Sequence, residues 1–214
     1  MRHRSTTLFT LYGFPNTRSS RICWMLEELE QPYHLVVVDL KKGDQRQPEF
    51  LAVNPGGKVP ALCDGDLLLT ESAAIITYLG DKLGRRDLVP EPGTAARAKY
   101  EQWLHFGQSE LDSSLATVGK HKFALPAEYR VPAVIPTAEW EFQKALNVLS
   151  QGLGEQNYIL GEQFTAADIL LGQILLWATA AKQPVTQPNL CAYLERLRSR
   201  PAFARFQAKE QAAS

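Results

Sequence analysis

The sequence predicts a two-domain chain: an α/β sandwich over residues 1–84, a short linker over 85–93, and an all-helical domain over 94–214. Two observations carry this. Before residue 84, strand-like and helix-like periodicities alternate in the order β-α-β-α-β-β-α. After the charged and Pro/Gly-rich stretch Arg85-Arg86-Asp87-Leu88-Val89-Pro90-Glu91-Pro92-Gly93, only helical spacing remains.

Leu8 to Tyr12 alternates and is rich in strand formers, and Gly13-Phe14-Pro15-Asn16 breaks it. Thr17 to Glu30 reads as a helix with Ile22, Leu26 and Leu29 on one face. Tyr33 to Leu40 follows as a near-continuous apolar strand, the pattern of a strand buried on both faces. Lys41-Lys42-Gly43-Asp44 is a solvated turn, and Gln47 to Leu51 a short helical or irregular piece. Asn54-Pro55-Gly56-Gly57 has turn chemistry, because Gly tolerates positive φ and Pro presets its own. Val59 to Cys63 then forms a strand with Pro60 near its start, Asp64-Gly65-Asp66 closes a hairpin, and Leu67 to Leu69 pairs back. Thr70-Glu71-Ser72 opens an apolar helix carrying Ile75, Ile76 and Leu79. With a right-handed crossover between the parallel strands, this order makes a thioredoxin-like sandwich.

In the second half, Thr94 to Val118 is a long helix bearing Tyr100, Trp103, Leu104, Phe106 and Leu111. Gly119 to Pro136 holds three prolines (Pro126, Pro132, Pro136) and is a loop or broken helix. The helix resumes over Thr137 to Leu149, with Trp140, Leu146 and Leu149. Thr165 and Asp168 have the spacing of a capping box, and Phe164 and Ile169 that of a hydrophobic staple. The run that follows, through Trp177, is apolar nearly all round and reads as the buried axis of the domain. Asn189 to Arg198 and Pro201 to Ala208 are two closing helices.

Composition excludes several classes. Twenty-three basic side chains balance twenty-three acidic ones, so no global field recruits nucleic acid or an anionic membrane. No apolar run is long enough to span a bilayer, and Met1-Arg2-His3-Arg4 leads straight into strand-like residues without a signal peptide. Cys23, Cys63 and Cys191 are isolated, with no Cys-x-x-Cys pair, which points to a reducing, cytoplasmic setting. His3, His34, His105 and His121 are scattered, so no metal site is expected.

Glu71-Ser72 at a helix N-terminus offers a carboxylate, a hydroxyl and free N–H groups, a set able to clamp an ammonium–carboxylate pair. The same residues also suit a plain N-cap, with Thr70 or Ser72 as the capping hydroxyl. Taken together, Gly57-Lys58-Val59-Pro60-Ala61-Leu62, the hairpin, and Glu71-Ser72-Ala73-Ala74-Ile75 resemble the glutathione-binding half of cytosolic glutathione S-transferases of bacterial, theta- or beta-like type. The Thr165/Asp168 cap on a central helix is also a feature of that family, where its role is folding. The resemblance implies a cis Pro60, Val59 main chain paired with the cysteinyl unit of glutathione, and Glu71 and Ser72 on its γ-glutamyl end. It also implies a homodimer, with glutathione as co-substrate and small hydrophobic electrophiles as partners.

A thiol with pKa near 8.5 is only about 3% thiolate at pH 7. Lowering that pKa by two units needs about 2.7 kcal/mol of preferential thiolate stabilisation. A hydroxyl donor and a helix N-terminus aimed at the sulfur can supply it. The site therefore belongs where the first strand hands over to the first helix. Counting back from Arg21, the Ser of theta-type and the Cys of beta-type relatives fall on Thr17, so this chain departs from both. A Thr hydroxyl can donate the same bond. Thr17 is the first candidate for the catalytic donor, with Ser19, Ser20, Asn16 and Tyr12 as alternatives; helix capping is the competing role for Thr17.

Lys58, or else Lys41 or Lys42, is a candidate cation for the glycyl carboxylate. Phe14, Phe106, Phe123 and Tyr129 are candidate walls for an electrophile. Cys23, inside the first helix, reads as packing, and Cys63, inside a strand, as inert. Conjugation to electrophiles is thus the first expectation. Glutathione-dependent reduction of peroxides or disulfides is the second, and a non-catalytic interaction module of the same fold the third.

Overall fold

The computed structural model describes residues 8–213; His3 and the rest of the first residues lie outside them. The chain forms two compact units. One takes the described residues up to Arg85 together with those from Ser199 onward, and the other is Arg86–Arg198.

The first unit is built on a four-stranded sheet. Its elements are β1 (Phe9–Gly13), α1 (Ser19–Glu28), β2 (Tyr33–Val37), α2 (Pro48–Val53), β3 (Ala61–Asp64), β4 (Leu67–Thr70) and α3 (Ser72–Lys82). The strand order is β2-β1-β3-β4, with β1 parallel to β2 and the other pairs antiparallel. This is the thioredoxin-like arrangement expected from the element order. The hairpin pairs Ala61 with Thr70 and Asp64 with Leu67, so its turn falls on Gly65 and Asp66.

Two expectations for this sheet need correcting. β2 is an edge strand with β1 as its neighbour, and its residues are half-buried or exposed rather than covered on both faces. A continuous apolar run does not by itself distinguish a central strand from an edge strand. The strand expected from Val59 starts instead at Ala61, leaving Val59 and Pro60 outside the β3–β4 ladder.

The core under the sheet comes mainly from α1 and α3: Ile22, Trp24, Met25, Leu26, Ile75, Ile76 and Leu79 have no exposed surface. The closing helix α9 (Pro201–Ala212), assigned from the sequence to the helical domain, packs in this unit. Phe203 and Phe206 meet the Trp24 ring at centroid distances of 5.1 and 5.4 Å. Arg200 adds a two-pronged ion pair to Glu28, at 2.6 and 2.7 Å. Nothing in the local pattern of α9 announces that its apolar face belongs to α1.

The second unit is helical: α4 (Ala95–Phe106), α5 (Ser113–Gly119), α6 (Ile135–Leu153), α7 (Ala166–Ala180) and α8 (Pro188–Arg198). The single long helix expected over Thr94–Val118 is interrupted by a π-turn at Gly107–Asp112, and a second π-turn follows at Lys120–Ala124. Within the segment expected as a linker, Leu88 and Val89 are buried and the Leu88 carbonyl accepts the Ala166 N–H at 2.8 Å. Trp140, grouped with Leu146 and Leu149 from the sequence, is 63% exposed. The buried stripe of α6 is Ala138, Phe142, Ala145, Leu146, Leu149 and Leu153, and Trp140 sits about 200° round the helix from Phe142. Gly152, outside that buried stripe, leaves room for the Trp103 ring, which a Cβ there would meet at 2.1 Å.

α7 is the expected axis, buried from Ala166 to Leu175. Its capping box is present as the spacing predicted. Asp168 has no exposed surface, and its carboxylate accepts bonds from the Thr165 N–H, the Thr165 hydroxyl, the Ile159 N–H and the Tyr193 hydroxyl, at 2.7–3.0 Å. Leaving one buried donor unpaired costs about 1–3 kcal/mol. Asp168→Ala strands several at once, so urea denaturation should show a loss of at least about 3 kcal/mol, and Asp168→Asn, which keeps an acceptor, a smaller one. A loss below about 1 kcal/mol in the Ala variant would refute this account of the cap.

Candidate functional site

Three chain segments of the first unit converge around α1. β1 ends at Gly13, whose close approach to the next turn leaves no room for a side chain: a Cβ would lie 2.9 Å from the Ser19 Cβ. Tyr12 pairs with Ala61 across the sheet, which brings the Val59-Pro60 segment beside the end of β1. Ala61 in turn pairs with Thr70, which brings up the start of α3.

The peptide bond between Val59 and Pro60 is cis, as the resemblance implied. Asn54 fixes the approach to it, its side-chain amide donating to the Lys58 carbonyl at 2.6 Å while its side-chain oxygen accepts the Gly56 N–H at 2.9 Å. Pro60 is buried and Val59 half-buried, and both precede the ladder. Lys58 is exposed. Of the other candidate cations, Lys41 lies 5.8 Å from the centre of the Phe14 ring and Lys42 pairs with Asp39 at 3.4 Å.

At the start of α3 the structure differs from a simple hydroxyl cap. Glu71, not Thr70 or Ser72, stands in the N-cap position, and no side chain caps the helix. Its φ of 65° and ψ of 110° lie in a region that non-glycine residues rarely occupy. Its carboxylate belongs to an exposed residue, while Ser72, the first helical residue, is 2% exposed. The Ser72 hydroxyl accepts a bond from the guanidinium of Arg21 at 3.0 Å. Arg21 has no exposed surface. The first N–H groups of a helix have no intrahelical partner. The start of α3 thus brings together a buried hydroxyl bonded to a buried cation, the first helical N–H groups and, on the preceding residue, an exposed carboxylate. Groups of this kind are chemically able to hold the carboxylate and ammonium of an amino-acid head group.

Arg21, which in the sequence only sets the count back to Thr17, is the buried partner of the Ser72 hydroxyl. The available signal was a charged side chain on the otherwise apolar stripe of α1, with Ile22, Trp24, Met25 and Leu26 around it.

The turn between β1 and α1 holds the candidate thiol donors. The Thr17 hydroxyl donates to the Phe14 carbonyl at 2.6 Å and accepts the Ser19 N–H at 3.2 Å. Ser19 Oγ lies 3.0 Å from it and accepts the Phe14 N–H at 3.3 Å. Arg18, not Thr17, occupies the N-cap position of α1. The alternatives are separated by geometry. Ser19 and Ser20 are both buried, and the Ser20 hydroxyl donates to Glu210 at 2.6 Å. Asn16 is exposed, with φ 58°. Tyr12 packs its ring against Phe50 at a centroid distance of 6.2 Å. Thr17 remains the half-exposed hydroxyl of the turn.

Cys23 is 1% exposed, and burial pushes its thiol up to about 12, with the Glu210 and Glu27 charges adding to the effect. Burial also raises the Cys63 thiol. Neither is activated for nucleophilic chemistry. In the helical unit, Phe123 and Tyr129 are largely exposed. Among the described residues, no group of three or more His, Cys, Asp or Glu could hold a metal ion, and no helix is long and apolar enough to cross a membrane.

Comparison with known proteins gives the family. Residues 8–81 match the family described as glutathione S-transferase, N-terminal domain, and residues 117–201 match glutathione S-transferase, C-terminal domain. Glutathione S-transferase 3 of Zea mays is 34% identical over 202 residues, covering 90% of each chain. The disulfide-bond oxidoreductase YfcG of Escherichia coli is 33% identical over 212 residues, covering 95% of this chain and 96% of that protein. The glutathione transferase URE2P6 of Phanerochaete chrysosporium, solved in complex with oxidized glutathione, superposes with a TM-score of 0.85 at 30% identity, covering 98% of this chain and 99% of that one. On both domains and along nearly its whole length, this chain belongs to the glutathione S-transferase family.

Proposed function

We infer that the chain binds glutathione in its first unit and conjugates the glutathione thiolate to small hydrophobic electrophiles. The observation that carries this reading is the start of α3. A non-glycine backbone held at positive φ costs about 1–3 kcal/mol and persists at sites that use it. Here it holds the Glu71 carboxylate next to a buried hydroxyl fixed by Arg21. Glu71 takes the γ-glutamyl ammonium, and Ser72 with the first N–H groups of α3 takes its carboxylate. The Val59 main chain, beyond the end of the ladder, meets the cysteinyl unit across the cis proline. Lys58 is the cation for the glycyl carboxylate. The solved complex of the Phanerochaete relative supports the choice of ligand.

Thr17 serves as the thiolate's donor. Its hydroxyl donates to the Phe14 carbonyl at 2.6 Å, so serving sulfur requires it to turn from that carbonyl. By resemblance the active form is a homodimer in the cytoplasm. A second reading, glutathione-dependent disulfide reduction, is favoured by the similarity to an Escherichia coli protein named as a disulfide-bond oxidoreductase. In that reading glutathione itself carries the exchange, because Cys23 is buried with a raised pKa.

The first test is calorimetry with glutathione, followed by parallel assays with chloro-dinitrobenzene and with a small disulfide. Ser72→Ala should abolish measurable binding; binding at wild-type strength would remove the head-group assignment. Thr17→Ala should keep binding within about twofold and lower turnover by about tenfold or more, the scale of one lost charge-assisted bond. Equal turnover would move the donor role elsewhere. Glu71→Gly should raise stability by about 1 kcal/mol through relief of backbone strain while weakening glutathione binding. A variant that is destabilised and still binds would contradict the strained-clamp account. Cys23→Ala should leave both activities intact, and a loss of disulfide turnover would assign that thiol a chemical role.

A further inference from the structure

Glu210 lies near the end of α9 and is 7% exposed. One carboxylate oxygen accepts the Ser20 hydroxyl at 2.6 Å, and the other accepts the Asn16 N–H at 3.3 Å. These two donors bracket Thr17 along the chain. Asn16 holds φ at 58°, a conformation that asparagine tolerates and that its surroundings must maintain. Thr17 hangs between this anchored residue and the first turn of α1.

Anchoring α9 does not explain an acid at this position. That helix is already held by Phe203 and Phe206 against Trp24, and by Arg200 on Glu28. Taking a carboxylate out of water is costly, and burial indeed pushes the Glu210 carboxyl up while Ser20 and Asn16 pull it down. An apolar side chain would serve packing better. What the carboxylate adds is a two-point grip on a turn some 190 residues away in sequence.

We propose that Glu210 is a positioning residue for the thiol-activating turn, holding Asn16 and Ser20 so that the Thr17 hydroxyl is presented at the required place. The proposal rests on the glutathione reading above. It assigns Glu210 no contact with substrate; its effect passes through the turn. Misplacing a reacting group by about 1 Å can cost on the order of a hundredfold in rate, so the loss should fall on turnover rather than on glutathione binding.

The test uses the full-length chain with Glu210→Ala, Glu210→Gln, Ser20→Ala and the Glu210→Ala/Ser20→Ala double variant. Each is measured for glutathione binding by calorimetry, for urea midpoint, and for kcat and KM in whichever of the two assays the wild type turns over. Glu210→Ala should lower kcat by about tenfold or more with the glutathione KM changed by less than about twofold. Glu210→Gln, which keeps an acceptor, should recover most of kcat. The double variant should be no worse than the worse single one, since both break the same grip. If Glu210→Ala does not fold, Ser20→Ala decides, because it leaves the aromatic and Arg200 contacts of α9 in place. A kcat within about twofold of wild type, a loss confined to KM, or additive losses in the double variant would overturn the proposal. A wild-type protein giving no heat with glutathione would overturn the glutathione reading itself, an outcome separate from a binding, active wild type whose Glu210 variants keep full kcat.

Discussion

A guanidinium with no access to water, that of Arg21, ties α1 to α3 through the Ser72 hydroxyl, and the geometry of the candidate site follows from that bond. Burying an ionised group costs several kcal/mol unless its N–H groups are engaged. Any slide of α1 against α3 would strand those groups in a core made of Ile22, Met25, Ile75 and Ile76. The start of α3 is therefore pinned against α1. The hairpin register, Ala61 on Thr70, fixes the same point from the sheet side. Glu71 lies where these two constraints meet. It has one residue in which to pass from strand to helix, and a positive φ is what closing that gap requires. The strain is then a consequence of a doubly fixed end, and the side chain placed there is available for a ligand.

The same helix is held from its other side by α9. Trp24, Glu27 and Glu28 of α1 meet Phe203, Phe206, Arg200, Arg205 and Lys209, so one face of α1 serves the sheet and another serves the chain's last helix. Burying aromatic side chains of this size contributes about 1.5–3 kcal/mol each, enough to make α9 part of this unit. The first fold unit is completed only by residues far along the chain, and its candidate site depends on contacts spanning more than 170 residues of sequence.

That distance explains what was legible in the sequence and what was not. The hairpin, the strand–helix order and the Thr165/Asp168 cap are local, set by turn residues and short periodicities, and they are visible in a window of a few residues. Val59-Pro60 and Glu71-Ser72 could be read as a site through resemblance, because the spacing between them is fixed by the hairpin. Glu210 carries no such mark: an acid near the end of an ordinary amphipathic helix looks solvated until its partners on α1 are known. β2 misled because strand burial depends on position in the sheet, which no window over Leu35-Val36-Val37-Val38 contains. Trp140 misled for a related reason. A helix face is chosen by the majority of its apolar residues, and one tryptophan off that stripe stays outside.

On the proposed reading, with Thr17 as the thiolate's donor, a threonine at the handover turn has a physical sense. The Thr17 hydroxyl donates to the Phe14 carbonyl, while its oxygen accepts the Ser19 N–H. A neutral carbonyl is a modest acceptor. A thiolate is a charged one, and charge-assisted bonds are roughly twice as strong as neutral ones. Transfer of the donor from Phe14 to an incoming thiolate is favourable, whereas transfer to an uncharged thiol gains little. In that role the hydroxyl would favour ionised sulfur over protonated sulfur, which is what lowering a thiol pKa consists of. Both proposed reactions, conjugation and disulfide exchange, would draw on that preference. They diverge only at the second reactant, an electrophilic carbon in one case and a sulfur in the other, and no residue of the β1–α1 turn distinguishes the two.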